Sequence, residues 1–164
     1  LTVITNGSAS NKDRVLALGA DQFIDYKSQD YVDIISDVDY VLDTLGGKET
    51  EKQMKILKKG GSLVSLRAMP NGSFAKRMHL PFYKQLLFTL AGHSFDAMAK
   101  RYGVHYDFIF VESNGKQLQE VADIFEKLEI KPSIDTVYPF EEVNDALQKV
   151  ANGHSKGKTV LTFK

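Results

Sequence analysis

The polar side chains best suited to holding a ligand sit just after short apolar runs. Asn6, Ser8, Ser10, Asn11 and Lys12 follow residues 1–5, Tyr26 and Lys27 close the run that begins at Gln22, and Asp43, Thr44, Leu45 and Gly46 follow residues 38–42. Hydroxyl and amide donors with a few cations suit a small neutral or anionic ligand better than bond-making chemistry. The usual nucleophile and metal sets are missing. There is no cysteine, the four histidines (His79, His93, His105 and His154) lie far apart, and no G-x-S-x-G elbow occurs. The sequence therefore predicts no catalytic side chain and no metal site. Each polar turn would also serve as an ordinary solvated turn, with Ser10 or Asn11 capping the following helix.

Secondary elements must hold those turns in place. Residues 1–5, 22–26, 38–42 and 62–66 are β-branched, aromatic or aliphatic runs too short for helices, and they read as buried strands. Helices are expected between them: one around Val15, Leu16 and Leu18 ended by Gly19, a short polar one over 29–36, and one over 48–59 stopped by Gly60-Gly61. This β-α-β-α-β-α-β alternation implies a parallel sheet with right-handed crossovers. In such a sheet the loops at the carboxyl ends of the strands line the ligand crevice. Residues 67–81 mix Pro, Asn, Gly and Ser, so the expectation there is an irregular, mobile loop. Phe82, Leu86, Leu90 and Met98, with Phe95 nearby, predict the core-facing stripe of a helix ending near Gly103. A strand over 104–111 follows, with apolar Val104, Tyr106, Phe108 and Phe110. Ser113 or Asn114 then caps a helix carrying Leu118, Val121, Ile124, Phe125 and Leu128 in i, i+3, i+4 spacing. A strand over 134–138, a helix opened by Glu141-Glu142 and a strand over 158–163 complete the chain.

Composition narrows the partners. The 21 basic and 21 acidic side chains cancel without any single-sign block, which argues against nucleic acid and against an anionic membrane surface. No apolar run approaches the roughly 18 residues of a membrane span. A cytoplasmic location is the expectation. The chain opens at Leu1 inside a strand pattern, which suggests a piece of a longer protein.

In dinucleotide-binding folds the end of the opening strand faces the adenosine ribose. An acid there would bind the ribose diol of NAD and repel the 2′-phosphate of NADP. No carboxylate follows residues 1–5 at that point, so NADP is the expected cofactor. The succession "SASNKDRVLALGADQFIDY", "VDYVLDTLGG", "ILKKGGSLVSL" and "RYGVHYDFIFVESNGKQLQEVADIFEKLEIKPSIDTVYPFEEVNDALQKVANGHSKGKTVLTFK" resembles the C-terminal half of a medium-chain dehydrogenase/reductase. It is most similar to the zinc-independent NADPH:quinone oxidoreductase branch, over essentially the whole chain.

That resemblance implies roles for named residues. Ser8 and Asn11 match the 2′-phosphate-binding turn, and Tyr26 the tyrosine beside that phosphate and the adenine. Thr44, Leu45 and Gly46 match the loop at the ribose and pyrophosphate, and Ser65, Leu66 and Arg67 the loop near the nicotinamide. Phe108, Phe110 and Val111 match the strand whose end touches the carboxamide, and Lys158 the C-terminal element that returns to the cofactor. Ser10 stands where the family often has Lys or Arg.

The implied fold is α/β, a Rossmann-like doubly wound parallel sheet without its first βα unit. No G-x-G-x-x-G turn occurs in the sequence to hold the pyrophosphate. Residues 1–130 would be a partial dinucleotide-binding domain, and residues 131–164 a strand-helix-strand returning to a catalytic domain. The implied activity is hydride transfer from NADPH to a quinone or an activated carbonyl or alkene. A homodimer would form through strand 104–111. A noncatalytic nucleotide-binding or dimerisation module and an S-adenosylmethionine-dependent methyltransferase are the competing readings.

Overall fold

The structure, a computed structural model, describes every residue except His154 and Lys164. It consists of two compact units, Leu1–Val111 and Glu112–Lys164. This division by compactness falls before the expected division by role at residue 130, so the helix over 115–127 lies in the second unit.

The first unit holds β1 (Ile4–Gly7), α1 (Lys12–Ala17), β2 (Gln22–Asp25), β3 (Val38–Asp43), α2 (Lys48–Ile56), β4 (Leu57–Ser65), α3 (Gly72–Arg77), α4 (Phe82–Tyr102) and β5 (His105–Phe108). The second holds α5 (Gly115–Lys127), β6 (Ile134–Pro139), α6 (Val143–Asn152) and β7 (Lys158–Thr162). Every strand pairing is parallel, as the β-α-β alternation predicts. The pairings form three sheets: β1-β2, β3-β4-β5 and β6-β7. The α/β class and the parallel strands stand, while among the described residues β1 and β3 do not pair with each other.

The core lies around the three-stranded sheet. Leu63 of β4, Tyr106 and Phe108 of β5, Met54 of α2, Phe74 of α3 and Ala99 of α4 belong to one buried cluster. The Phe74 ring meets Phe88 and Phe108 edge-on, with centroids 5.7 and 5.2 Å away, and Phe95 stacks on Tyr106 at 5.4 Å.

Several local expectations change. The short polar helix over 29–36 is a single 3-10 turn, Tyr31–Asp33, with the Asp30 side chain accepting from the Val32 amide. Gly60-Gly61 does not end a helix. α2 stops at Ile56, and the glycines lie within β4 where its register against β3 shifts, Gly60 at φ +77 and in the left-handed region that glycine tolerates. Residues 67–81 are not all loop. Asn71, only 2% exposed, accepts from the Phe74 amide at 3.0 Å and donates to Asp96 at 2.7 Å, and so caps α3.

Of the expected core-facing stripe on α4, Phe82, Leu86 and Leu90 are exposed, whereas Met98 and the nearby Phe95 pack against the core. The packed face carries Phe88, Gly92, Phe95 and Ala99, because the backbone of Asn71 lies against Gly92 so closely that a Cβ there would meet it at 2.6 Å. Tyr40 and Leu42 of β3, expected in a buried strand, are also exposed, because they lie on the opposite face of the strand from Val41 and Asp43, and it is the Val41 face that packs on the core. β5 ends at Phe108. Val104, just before the strand, and its Tyr106 and Phe108 face the core, so they offer no surface for a partner; Ile109, Phe110 and Val111 beyond it are exposed.

In the second unit α6 crosses between the parallel strands β6 and β7. Lys149 ties that unit together, its Nζ donating to Asp135 at 2.5 Å, Thr136 at 2.7 Å and Thr159 at 3.3 Å. Among the described residues, no helix is long and apolar enough to cross a membrane.

Candidate functional site

The carboxyl ends of β1, β2 and β3 open onto one cleft of about 850 Å3. Asn6 and Gly7 come from the end of β1, Tyr26 and Lys27 from the residues after β2, and Thr44 and Leu45 from the loop after β3. Strand ends that converge on a single cleft are how an open parallel sheet makes a ligand site. A second cleft of about 430 Å3 is lined by Val3, Ile4 and Thr5 on the β1 side and by Val38, Tyr40 and Val41 on the β3 side. Asn6, Tyr31, Leu42, Thr44 and Gln53 line both. Gln53 Oε1 is buried and has no hydrogen-bond partner among the described residues. An acceptor in that state is costly unless something donates to it.

Asp43, fully buried at the end of β3, organises the loops beside the cleft. Its Oδ1 accepts from the amides of Leu45 and Gly46, both at 2.9 Å, and its Oδ2 accepts from Thr50 Oγ1 at 2.9 Å and Ser65 Oγ at 2.8 Å. Burial pushes the Asp43 carboxyl up, but the donors at Gly46, Ser65, Leu45 and Thr50 together outweigh burial and hold it below its ordinary value. It is therefore an anion at neutral pH. Ser65 passes the order on, since its Oγ accepts from the amides of Arg67 at 3.2 Å and Ala68 at 2.8 Å. Gly46 is required twice over: its φ is +71, and a Cβ there would lie 2.8 Å from the Arg67 carbonyl oxygen.

Two carboxylates also reach the cleft wall, and each already has a partner. Lys52 Nζ lies 2.8 Å from Asp30 and holds its carboxyl below the ordinary value. Tyr31 donates to Glu49 at 3.0 Å, and burial together with that bond pushes the Tyr31 hydroxyl up, so it stays protonated. Neither carboxylate is a free anion facing the cleft.

The structure brings Tyr26, Thr44 and Leu45 together in the cleft, and Gly46, Ser65, Leu66 and Arg67 in the adjoining pair of loops. Leu66 and Arg67 are exposed, and Ser65 is buried. Ser8 and Asn11 bond to each other in the turn after β1, Asn11 Nδ2 donating to Ser8 Oγ at 3.3 Å, and do not line the cleft. Phe108 faces the core, Phe110 and Val111 lie past the end of β5, and Lys158 opens β7 in the second unit. Tyr31, Lys52 and Gln53 were not legible as site residues, being ordinary helix and turn positions in the sequence. Arg77 was hidden in the supposed loop; its guanidinium donates to the Phe108 carbonyl at 2.6 Å and to Asp107 at 3.1 Å, fixing the end of β5.

The profile of the family described as zinc-binding dehydrogenase matches residues 18–161. The chain belongs to that family. Its curated relatives include NAD(P)H oxidoreductase RTN4IP1, mitochondrial, of Homo sapiens, 32% identical over 170 residues that cover 98% of this chain and 41% of the relative. Synaptic vesicle membrane protein VAT-1 homolog of Danio rerio is 29% identical over 177 residues, covering 99% of this chain and 36% of the relative. The chain thus spans about two fifths of the length of the curated relatives it matches. Among solved structures, the quinone oxidoreductase from Coxiella burnetii superposes with a TM-score of 0.75 at 24% identity, over 99% of this chain and 45% of that one, which supports the fold. The resemblance to the medium-chain dehydrogenases stands, and the methyltransferase reading falls with it. The family description names zinc, but among the described residues no group of three or more His, Cys, Asp or Glu could hold a metal ion.

Proposed function

We propose that this zinc-binding dehydrogenase chain is the nucleotide-binding part of an NADPH-dependent oxidoreductase. The observation that carries the reading is the single cleft at the carboxyl ends of β1, β2 and β3. The names of relatives support it, one an NAD(P)H oxidoreductase and one solved structure a quinone oxidoreductase. Asn6, Tyr26 and Lys27 would hold the 2′-phosphorylated ribose, with Ser8 and Asn11 in the adjoining turn. Residues 44–46, whose Thr44 and Leu45 line the cleft, would meet the ribose and pyrophosphate, and residues 65–67, with the end of β5, the nicotinamide. Once bound, the cofactor would supply a hydride for a quinone or an activated carbonyl or alkene.

Both carboxylates at the cleft are already paired, Asp30 with Lys52 and Glu49 with Tyr31, so the contribution of this chain is binding, orientation and the exclusion of water. The unpaired edges of β1 and β3, with the unpartnered Gln53 between them, fit the insertion of a further parallel strand from the full-length polypeptide. The same reading includes a homodimer through the free edge of β5.

Cofactor selectivity tests it. Charge-assisted bonds to one phosphate contribute about 1.5–3 kcal/mol, so kcat/KM of the full-length protein should favour NADPH over NADH by roughly tenfold to a hundredfold. Asn6→Asp should shift the ratio toward NADH. Equal values for the two cofactors in the parent would overturn the NADPH assignment.

A further inference from the structure

We propose that Asp43 is a positioning residue that fixes the spacing of two cofactor-facing loops, holding one with each carboxylate oxygen. The inference rests on the assignment of residues 44–46 and 65–67 to a nicotinamide cofactor. Asp43 does not line the cleft, and no cation among the described residues is paired with it. Its Oδ1 is taken by the amides of Leu45 and Gly46, which belong to the first loop. Its Oδ2 is taken by the Ser65 hydroxyl, at the root of the second, and by Thr50 of α2.

The direction of the Ser65 bond is forced. Ser65 Oγ already accepts from the amides of Arg67 and Ala68, which uses both of its lone pairs, so its proton must go to an acceptor. Asp43 Oδ2 is that acceptor, at 2.8 Å. Asparagine could keep the Oδ1 bonds, but its Nδ2 would present a donor to an oxygen that has no lone pair left. A carboxylate is therefore the side chain that serves both loops at once. Two backbone contacts close the assembly: the Leu66 amide donates to the Asp43 carbonyl at 2.9 Å, and the Cα of Gly46 packs against the Arg67 carbonyl with no room for a side chain. The ribose-pyrophosphate loop and the nicotinamide loop thus move as one piece. Small misplacements of reacting groups cost about a hundredfold in rate, so this spacing bears on turnover.

The experiment compares Ser65→Ala, Asp43→Asn and Thr50→Val in the full-length protein, using NADPH and 2′-phospho-ADP-ribose, which lacks the nicotinamide, as probes. Ser65→Ala should leave affinity for the fragment within about twofold while lowering kcat with NADPH by about a hundredfold. Asp43→Asn should weaken fragment and NADPH alike and lower kcat as well. Thr50→Val, which removes one donor to the carboxylate without touching either loop, should lower the melting temperature and lower kcat by less than about tenfold, well short of the loss in Ser65→Ala. If Asp43→Asn does not fold, the contrast between Ser65→Ala and Thr50→Val decides. A Ser65→Ala protein that weakens both probes equally, or that keeps its kcat, overturns the inference while the cofactor reading survives. A parent that binds neither NADPH nor NADH overturns both.

Discussion

The β1-β2 sheet and the β3-β4-β5 sheet grow from the same kind of sequence, short β-branched runs separated by helices, yet they are buried very differently. Ile24 is the one fully buried hydrophobic side chain among the described strand residues of the first. The second carries Leu57, Leu63, Tyr106 and Phe108, packed with side chains of α2, α3 and α4. The alternation that makes a strand does not decide what covers it. Coverage comes from α3 and α4, whose close approach depends on small residues: a Cβ at Gly72 would meet Thr89 Oγ1 at 2.4 Å, and Gly92 sits on Asn71.

The largest expected effect lies in the second sheet. Leu63 is fully buried, so Leu63→Ala should cost about 2–5 kcal/mol in urea or thermal unfolding. A loss below about 1 kcal/mol would mean that this sheet is not the centre of the core. The free edge of β5 gives the next effect. Ile109, 44% exposed just past the strand, is the position to charge, whereas Phe108 is a core residue whose replacement would unfold the protein. Light scattering of full-length Ile109→Lys should show a monomer where the parent is a dimer. A monomeric parent at tens of micromolar, or a variant of unchanged mass, removes this edge from any interface. The smallest effect belongs beside the first sheet: Leu18, 76% exposed after α1, should tolerate Ala within about 0.5 kcal/mol. A cost matching that of Leu63→Ala would erase the contrast.

The elements that punctuate cleanly were legible in the sequence. The strands expected over 38–42 and 62–66 are found ending at Asp43 and Ser65, the helix expected to end near Gly103 does so, and of the two expected caps it is Asn114 that accepts from the Gln117 amide, at 3.1 Å. Gly60-Gly61 misled because a glycine pair marks a helix stop and a strand bulge alike, and only the partner strand distinguishes them. Residues 72–77 were hidden because their cap, Asn71, is held by Asp96, 25 residues away. The Phe82, Leu86 and Leu90 part of the α4 stripe failed for a related reason: that bulky face has the stronger pattern, but close packing chose the face with Gly92 and Ala99. Of the site, residues 43–46 could be read locally. Tyr31, Lys52 and Gln53 could not, because they reach the cleft only through tertiary placement.

The claim that matters most is that residues after β1, β2, β3 and β4 hold one nicotinamide nucleotide. Amide hydrogen exchange of the full-length protein, with and without saturating NADPH, tests it most directly. The account predicts increased protection at Asn6, Tyr26, residues 44–46 and residues 65–67, above that given by the hydrogen bonds already present there, with little change in β6 and α6. NADPH-dependent protection that spares residues 44–46 and 65–67 would contradict it.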